Sequence, residues 1–218
     1  MYGEEEIAVS TKKCAENANS HLYMSVIKHK EQRVAIFIDT QNLYHSAKNI
    51  YRAKVNFDAV VKAALGDRKL IRAIAYVVTT ESGEEQSFFE ALEKIGIEVK
   101  TKDLQIFFGG AKKADWDVGL AVDAIKHSQK VDAIVLASGD GDFVPMVEHV
   151  RSEGCQVECI AFGKSSSSRL RESVDDFIDM DETPHQFLLG LRPNIKNGGN
   201  SKLKKQLKRV VGTDTDDV

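Results

Sequence analysis

The chain has 218 residues, enough for one domain of roughly 150 residues with appendages. Hydrophobic residues make up 42% and charged residues 29%, the proportions of a globular protein with a real core. The apolar runs, such as 34–38 and 134–137, are far below the ~20 residues that span a bilayer. The first thirty residues hold no apolar segment ahead of a small-residue cleavage site. A cytoplasmic protein without a membrane partner is therefore the expectation. Cys14, Cys155 and Cys159 are too few and too irregularly spaced for a disulfide framework or a zinc site. The net charge of −3 is unevenly spread. Residues 33–191 carry −6, residues 192–209 carry +7 with no acidic group, and the last nine residues carry −3. An acidic body is joined to a basic arm.

Three segments follow from these patterns: a polar N-terminal tail over 1–32, partly helical near 20–28; a domain over 33–182; and a C-terminal extension with the basic arm over 183–218. Val34-Ala-Ile-Phe-Ile38 ends in Asp39 and reads as a strand buried on both faces of a parallel sheet. A helix over 41–51 and a second over 58–65, with Asp58 as its N-cap, come next. Residues 70–78 predict a second strand, and 84–95 a helix stopped by Gly96. Short strands fit 97–100 and 105–108, before the Gly109-Gly110 turn. Apolar residues at 118, 121, 122 and 125 make 115–129 helical. A buried strand over 131–137, a helix over 143–152 closed by Gly154, and a strand over 156–162 complete the series. Strands alternating with helices predict an α/β fold, Rossmann-like, with a mainly parallel sheet flanked by helices.

In such sheets, ligands bind beyond the carboxyl ends of the strands, where strand order reverses. Asp39 closes the first strand and is followed by Thr40-Gln41-Asn42. Ser138-Gly-Asp-Gly-Asp142 follows the strand over 131–137, and Asp117 stands near a helix start. Four aspartates (39, 117, 140 and 142) gathered there would repel one another unless a cation lay between them. An all-oxygen set selects a hard ion, Mg²⁺ or Mn²⁺. Plainer readings exist: Asp142 and Asn42 as helix caps, and Asp140 as a turn residue. Asp123, about 120° around the helix from Asp117, either supports the site or faces elsewhere. Trp116, the one tryptophan, either stacks on a base or packs into the core. Gly139-Asp-Gly141 lacks the third glycine of a dinucleotide fingerprint, where Val144 stands. Gly163-Lys-Ser165 lacks the first glycine of a P-loop, where Glu158 stands, and reads as a serine-rich loop before a helix. The pairing of Asp39 with the later aspartates also resembles the haloacid-dehalogenase phosphatases. Those enzymes need an acid two positions after the nucleophile, and Gln41 occupies that place.

Four stretches together resemble the NYN domains of the PIN-like nuclease superfamily, particularly the LabA-like branch. They are Val34-Ala-Ile-Phe-Ile-Asp-Thr-Gln-Asn-Leu43, Asp117-Val-Gly-Leu-Ala-Val-Asp123, Ala137-Ser-Gly-Asp-Gly-Asp-Phe-Val-Pro145 and Gly154-Cys-Gln-Val-Glu158. Leu170 through Asp179 resembles the family's closing element. The resemblance implies an acidic pocket binding Mg²⁺ or Mn²⁺ and an RNA partner. By position, Asp39, Asp117, Asp140 and Asp142 match its acidic cluster, Asn42 the adjacent asparagine, Asp123 the second helix aspartate, and Ser138 the small hydroxyl residue ending a strand.

The expectation is a metal-dependent ribonuclease. Asp39 and Asp140 would be primary metal ligands, and Asp117 and Asp142 would complete the shell directly or through water. Asn42 would orient a ligand or the scissile phosphate. Lys112, Lys113 and, on the arm, Lys202, Lys204, Lys205, Lys208 and Arg209 would hold the phosphate backbone. A catalytically silent RNA- or protein-binding module stays open beside it, as do a homo-oligomer and a protein partner.

Overall fold

A computed structural model describes Val26, residues 28–79, 86–103 and 116–191, and the backbone of 105–106 and 112–113. The strand β1 (Arg33–Asp39) leads into helix α1 (Thr40–Tyr51), the short strand β2 (Lys54–Val55) and helix α2 (Phe57–Leu65). Next come β3 (Lys69–Thr79), α3 (Gln86–Lys94), β4 (Glu98–Asp103), and the two-residue strands β5 (Gln105–Ile106) and β6 (Lys112–Lys113). The second half contains α4 (Asp117–Ser128), β7 (Ala133–Ala137), a 3₁₀ turn at Gly141–Phe143, and α5 (Val144–Ser152). It ends with β8 (Gln156–Ala161), a 3₁₀ turn at Gly163–Ser165, α6 (Ser168–Ser173), β9 (Asp176–Asp179), α7 (Pro184–Phe187) and β10 (Leu188–Leu189).

Six of these strands form one sheet in the order β4-β3-β1-β7-β8-β9, and every neighbouring pair is parallel. The fold is α/β and Rossmann-like, a parallel sheet flanked by helices. Counted along the chain, the strand order is 3-2-1-4-5-6, which places the topological switch point between β1 and β7. These two central strands are the most apolar. Val34–Ile38 and Ala133–Ala137 are all fully buried, as parallel strands covered on both faces must be. Burying each large aliphatic side chain contributes about 1.5–3 kcal/mol, so the strands that carry the site are also the best anchored.

Local sequence accounts for most element ends. Gly96 and Gly154 adopt positive φ (81° and 84°) just after α3 and α5. Two caps differ from expectation. Asn56, not Asp58, caps α2: its side chain accepts from the Ala59 N–H at 3.3 Å, while Asp58 pairs with Lys62 one turn on at 2.7 Å. α4 begins at Asp117 with Trp116 as N-cap, two residues later than the expected start at 115. Residues 184–189, placed by the sequence in the C-terminal extension, pack onto the domain. Leu188 pairs with Val55 across an antiparallel bridge, and Phe187 and Leu188 are buried.

At the opposite end of the sheet from the site lies a buried ion pair. The Arg68 guanidinium donates to both carboxylate oxygens of Glu158, a fully buried residue of β8, and to the carbonyls of Ala64 and Leu65. Gln156 and Lys28 also donate to Glu158 (2.6 and 2.7 Å). Among the described residues no buried side-chain polar atom lacks a partner. Cys155 and Cys159 are free and buried, and burial pushes their thiols up to about 11 and about 12. Among the described residues, no helix is long and apolar enough to cross a membrane.

Removing Arg68 leaves the fully buried Glu158 carboxylate with only the partly exposed Lys28 ammonium opposite it. Arg68→Met is expected to lower the unfolding free energy by about 3–5 kcal/mol in urea titrations. Arg68→Met/Glu158→Met should recover a large part of that loss. A double variant as unstable as the two single changes added together would show that the pairing carries no energy of its own.

Candidate active site

The carboxyl ends of β1 and β7 lie side by side, with Ile38 opposite Ala137. The residue after each, Asp39 and Ser138, starts the site. Asp39 has extended backbone geometry and caps α1: its Oδ1 accepts from the Asn42 N–H at 3.0 Å. Its Oδ2 accepts from the Ser138 hydroxyl at 3.1 Å. The Ser138 oxygen in turn accepts from the Asp140 N–H at 3.2 Å. In parallel, the Asn42 side-chain oxygen accepts from the Gly139 N–H at 2.9 Å. Two hydrogen-bonded bridges thus tie the first turn of α1 to the loop after β7. Burial pushes the Asp39 carboxyl up, and the nearby charge of Asp140 adds to this; the hydrogen bonds from Asn42 and Ser138 oppose it.

The loop is then folded back on itself. Asp140 caps the 3₁₀ turn, its Oδ1 accepting from the Asp142 N–H at 3.0 Å. α5 has no side-chain N-cap, so the Asp142 carboxylate is not spent on the helix-capping role that its position suggested. Gly139 and Gly141 lie under the serine-rich segment after β8. A Cβ on Gly139 would come within 2.5 Å of the Ser166 hydroxyl oxygen and 3.0 Å of the Ser166 Cα, and one on Gly141 within 2.7 Å of the Ser167 hydroxyl oxygen. The Ser167 N–H donates to the Gly139 carbonyl at 2.9 Å, fastening the two loops together. The glycines are required here by close approach rather than by backbone angle.

Asp117, in the first turn of α4, completes the arrangement. One carboxylate oxygen from each of Asp117, Asp140 and Asp142 lies within 4.8 Å of the other two. Asp117 and Asp140 are half-buried and Asp142 is exposed, so the group opens to solvent. Three carboxylates at this spacing form an oxygen-only donor set suited to a hard divalent cation such as Mg²⁺ or Mn²⁺. The residues therefore fit the ion that the sequence resemblance implied.

The sequence placed four aspartates together, and the structure brings three of them together. Asp39 stands behind the group, committed to the α1 cap and to Ser138. Asp123 faces elsewhere on α4, accepting from the Tyr76 hydroxyl at 2.7 Å and pairing with Lys100 at 2.5 Å. Burial alone would raise the Asp123 carboxyl, but the hydrogen bonds from Lys100 and Tyr76 outweigh it and hold the group below its ordinary range. Asn42 and Ser138 act on the loop rather than toward the solvent-facing carboxylates. Lys112 and Lys113 contribute backbone to β6, opposite Ile106 and Gln105; their side chains lie outside the described residues, as do Lys202, Lys204, Lys205, Lys208 and Arg209. Sequence reasoning missed the Ser166-Ser167 lip, whose one visible signal is the serine run from Ser165 to Ser168.

This combination defines the class: a Rossmann-like α/β domain with an acidic group at its switch point. The NYN domain family model matches residues 33–181, and the chain belongs to that family, within the PIN-like nuclease superfamily. It is similar to the low amplitude and bright protein LabA of Synechococcus elongatus, at 27% identity over 164 residues that cover 70% of this chain and 86% of that protein. It is also similar to a Vibrio parahaemolyticus protein of unknown function seen in a crystal structure. That likeness has a TM-score of 0.68 and 29% identity, covering 74% of this chain and 99% of the other.

The Ser138 hydroxyl is the joint of the bridge between Asp39 and Asp140. Ser138→Ala should lower stability by about 1–3 kcal/mol in urea unfolding, since it leaves a half-buried carboxylate oxygen and an N–H without their partner. An unchanged midpoint would mean that solvent replaces the hydroxyl at no cost.

Proposed function

We propose that the protein is a metal-dependent ribonuclease that hydrolyses RNA phosphodiester bonds at the Asp117–Asp140–Asp142 group. The observation that carries this reading is the convergence of three carboxylate oxygens within 4.8 Å at the switch point of an NYN domain. Asp117, Asp140 and Asp142 would hold the ion. When bound, Mg²⁺ or Mn²⁺ would supply polarisation of a phosphoryl oxygen and a lowered pKa for an attacking water.

The remaining residues determine how well the carboxylates are held. Asp39 and Ser138 fix the Asp140 backbone, and Asn42 fixes Gly139. Side chains of this supporting kind typically contribute 10–100-fold to metal affinity or activity (about 1.4–2.7 kcal/mol). The glycines let the serine-rich lip press on the loop, so its carboxylates are presented from a braced turn. The basic arm would hold the phosphate backbone without reading bases, and the body's net −6 makes that division of labour physically useful.

The test is cleavage of single-stranded and structured RNA with Mn²⁺, Mg²⁺ or chelator, beside Asp117→Asn/Asp140→Asn. Metal-dependent cleavage should fall by more than about 100-fold in the variant, and Asn42→Ala should lose about 10–100-fold. Cleavage that survives chelator or the double variant would refute the site. RNA retained but never cut, at any metal concentration, would instead identify a silent binding module.

The arm gives a separate prediction. Replacing Lys202, Lys204, Lys205, Lys208 and Arg209 by glutamine in the full chain should weaken binding to single-stranded RNA. It should also reduce the slope of log K against log salt by up to about 3.5, at roughly 0.7 per lost phosphate contact. An unchanged slope would show that the arm is only a solvated tail.

A further inference from the structure

Trp116 breaks two local rules at once. It occupies the N-cap of α4, a position that favours Ser, Thr, Asp or Asn, and makes no side-chain capping bond there. Three residues on, Gly119 lies inside the helix, where glycine is disfavoured by about 1 kcal/mol relative to alanine. The same contact accounts for the glycine: a Cβ on Gly119 would stand 2.7 and 3.0 Å from two carbons of the indole. The ring is therefore seated against the helix backbone. Its Nε1–H donates to the Val77 carbonyl at 3.0 Å, and its edge meets Tyr76 with centroids 5.3 Å apart. Local rules broken together in this way mark a functional or a strained position.

The surroundings say what the position is for. Trp116 packs against the core but is only half-buried, so the residue keeps some exposed surface, and the next residue is Asp117 of the carboxylate group. Lys102 lies 5.8 Å from the indole centroid, and Lys100 lies 5.9 Å from the Tyr76 centroid. Both lysines project from one side of β4, the edge strand of the sheet, since they are two residues apart. An aromatic face flanked by cations, beside a group suited to phosphate chemistry, is the chemistry that recognises a nucleobase and its backbone. Because Trp116 is already held by its hydrogen bond and by Gly119, little freedom is lost when a base docks.

We propose that Trp116, with Lys102 and Lys100 beside it, is the stacking platform for a base of an unpaired RNA strand whose adjacent phosphate lies at Asp117, Asp140 and Asp142. The proposal rests on the ribonuclease reading and narrows its substrate to strands whose base faces are free. Paired RNA is disfavoured because the interior bases of its helix are already stacked and present no face to the indole.

Trp116 is the sole tryptophan, so its emission reports on this position alone. The full-length protein, with Mg²⁺ present, is titrated with a single-stranded RNA hexamer whose linkages resist hydrolysis. Indole emission and the anisotropy of the dye-labelled hexamer are followed together. Emission should be quenched with the midpoint seen by anisotropy, and the same sequence as a duplex should quench far less. Trp116→Ala should weaken binding about 5- to 150-fold, whereas Trp116→Phe, which keeps a ring, should weaken it only a few-fold. Lys102→Gln should weaken binding without abolishing the quenching. Binding by anisotropy with unaltered emission, or equal quenching by duplex, would overturn the platform while leaving the ribonuclease reading intact. Absence of binding by either signal would overturn both.

Discussion

Three like charges held within 4.8 Å of one another are the constraint on which the rest of the site depends. Left to relax, the carboxylates of Asp117, Asp140 and Asp142 would separate. They are kept together by two anchors with independent origins. Asp117 is carried on the first turn of α4, which packs on β1, β7 and α5. Asp140 and Asp142 are carried on a loop fastened to α1 through Ser138 and Asn42 and covered by the Ser166-Ser167 lip. The rigidity behind both anchors is the fully buried pair of central strands, β1 and β7. The site is thus assembled by the best-packed part of the sheet, and a cation held there would offset the like charges.

Much of this was legible in the sequence, for physical reasons. Buried parallel strands must be continuously apolar, so Val34–Ile38 and Ala133–Ala137 announce themselves, and the polar residue that ends each one marks the carboxyl edge. Gly96 and Gly154 mark helix ends because left-handed backbone favours glycine. The polar strand β4, Glu98–Asp103, was visible only in part, because edge strands are kept charged and lack an apolar signature.

What stayed hidden was the choice of partners. Spacing along a chain says which residues share a face but not what crosses from another element. Asp39 and Asp140 read as equivalent strand-end acids, yet Asp39 caps α1 and accepts from Ser138, 99 residues away, while Asp140 caps the 3₁₀ turn and contributes an oxygen to the three-carboxylate group. Asp123 is drawn away by Tyr76 and Lys100. Glu158, read as a missing P-loop glycine, belongs to a buried ion pair with Arg68, 90 residues earlier in the chain. Trp116 was ambiguous between core and ligand contact, and its seat on Gly119 shows that its orientation is fixed by packing while part of its surface stays open.

The converging carboxylates of Asp117, Asp140 and Asp142 are expected to form a cation site in the protein without RNA. Mn²⁺ binding followed by electron paramagnetic resonance measures this directly, because free Mn²⁺ gives a signal that binding diminishes. Saturable binding to the full-length protein is expected, competed by Mg²⁺ and lost in Asp117→Asn/Asp140→Asn, with the fold of that variant intact by circular dichroism. Saturable binding of equal strength in the folded double variant, or none in the native sequence, would contradict that expectation.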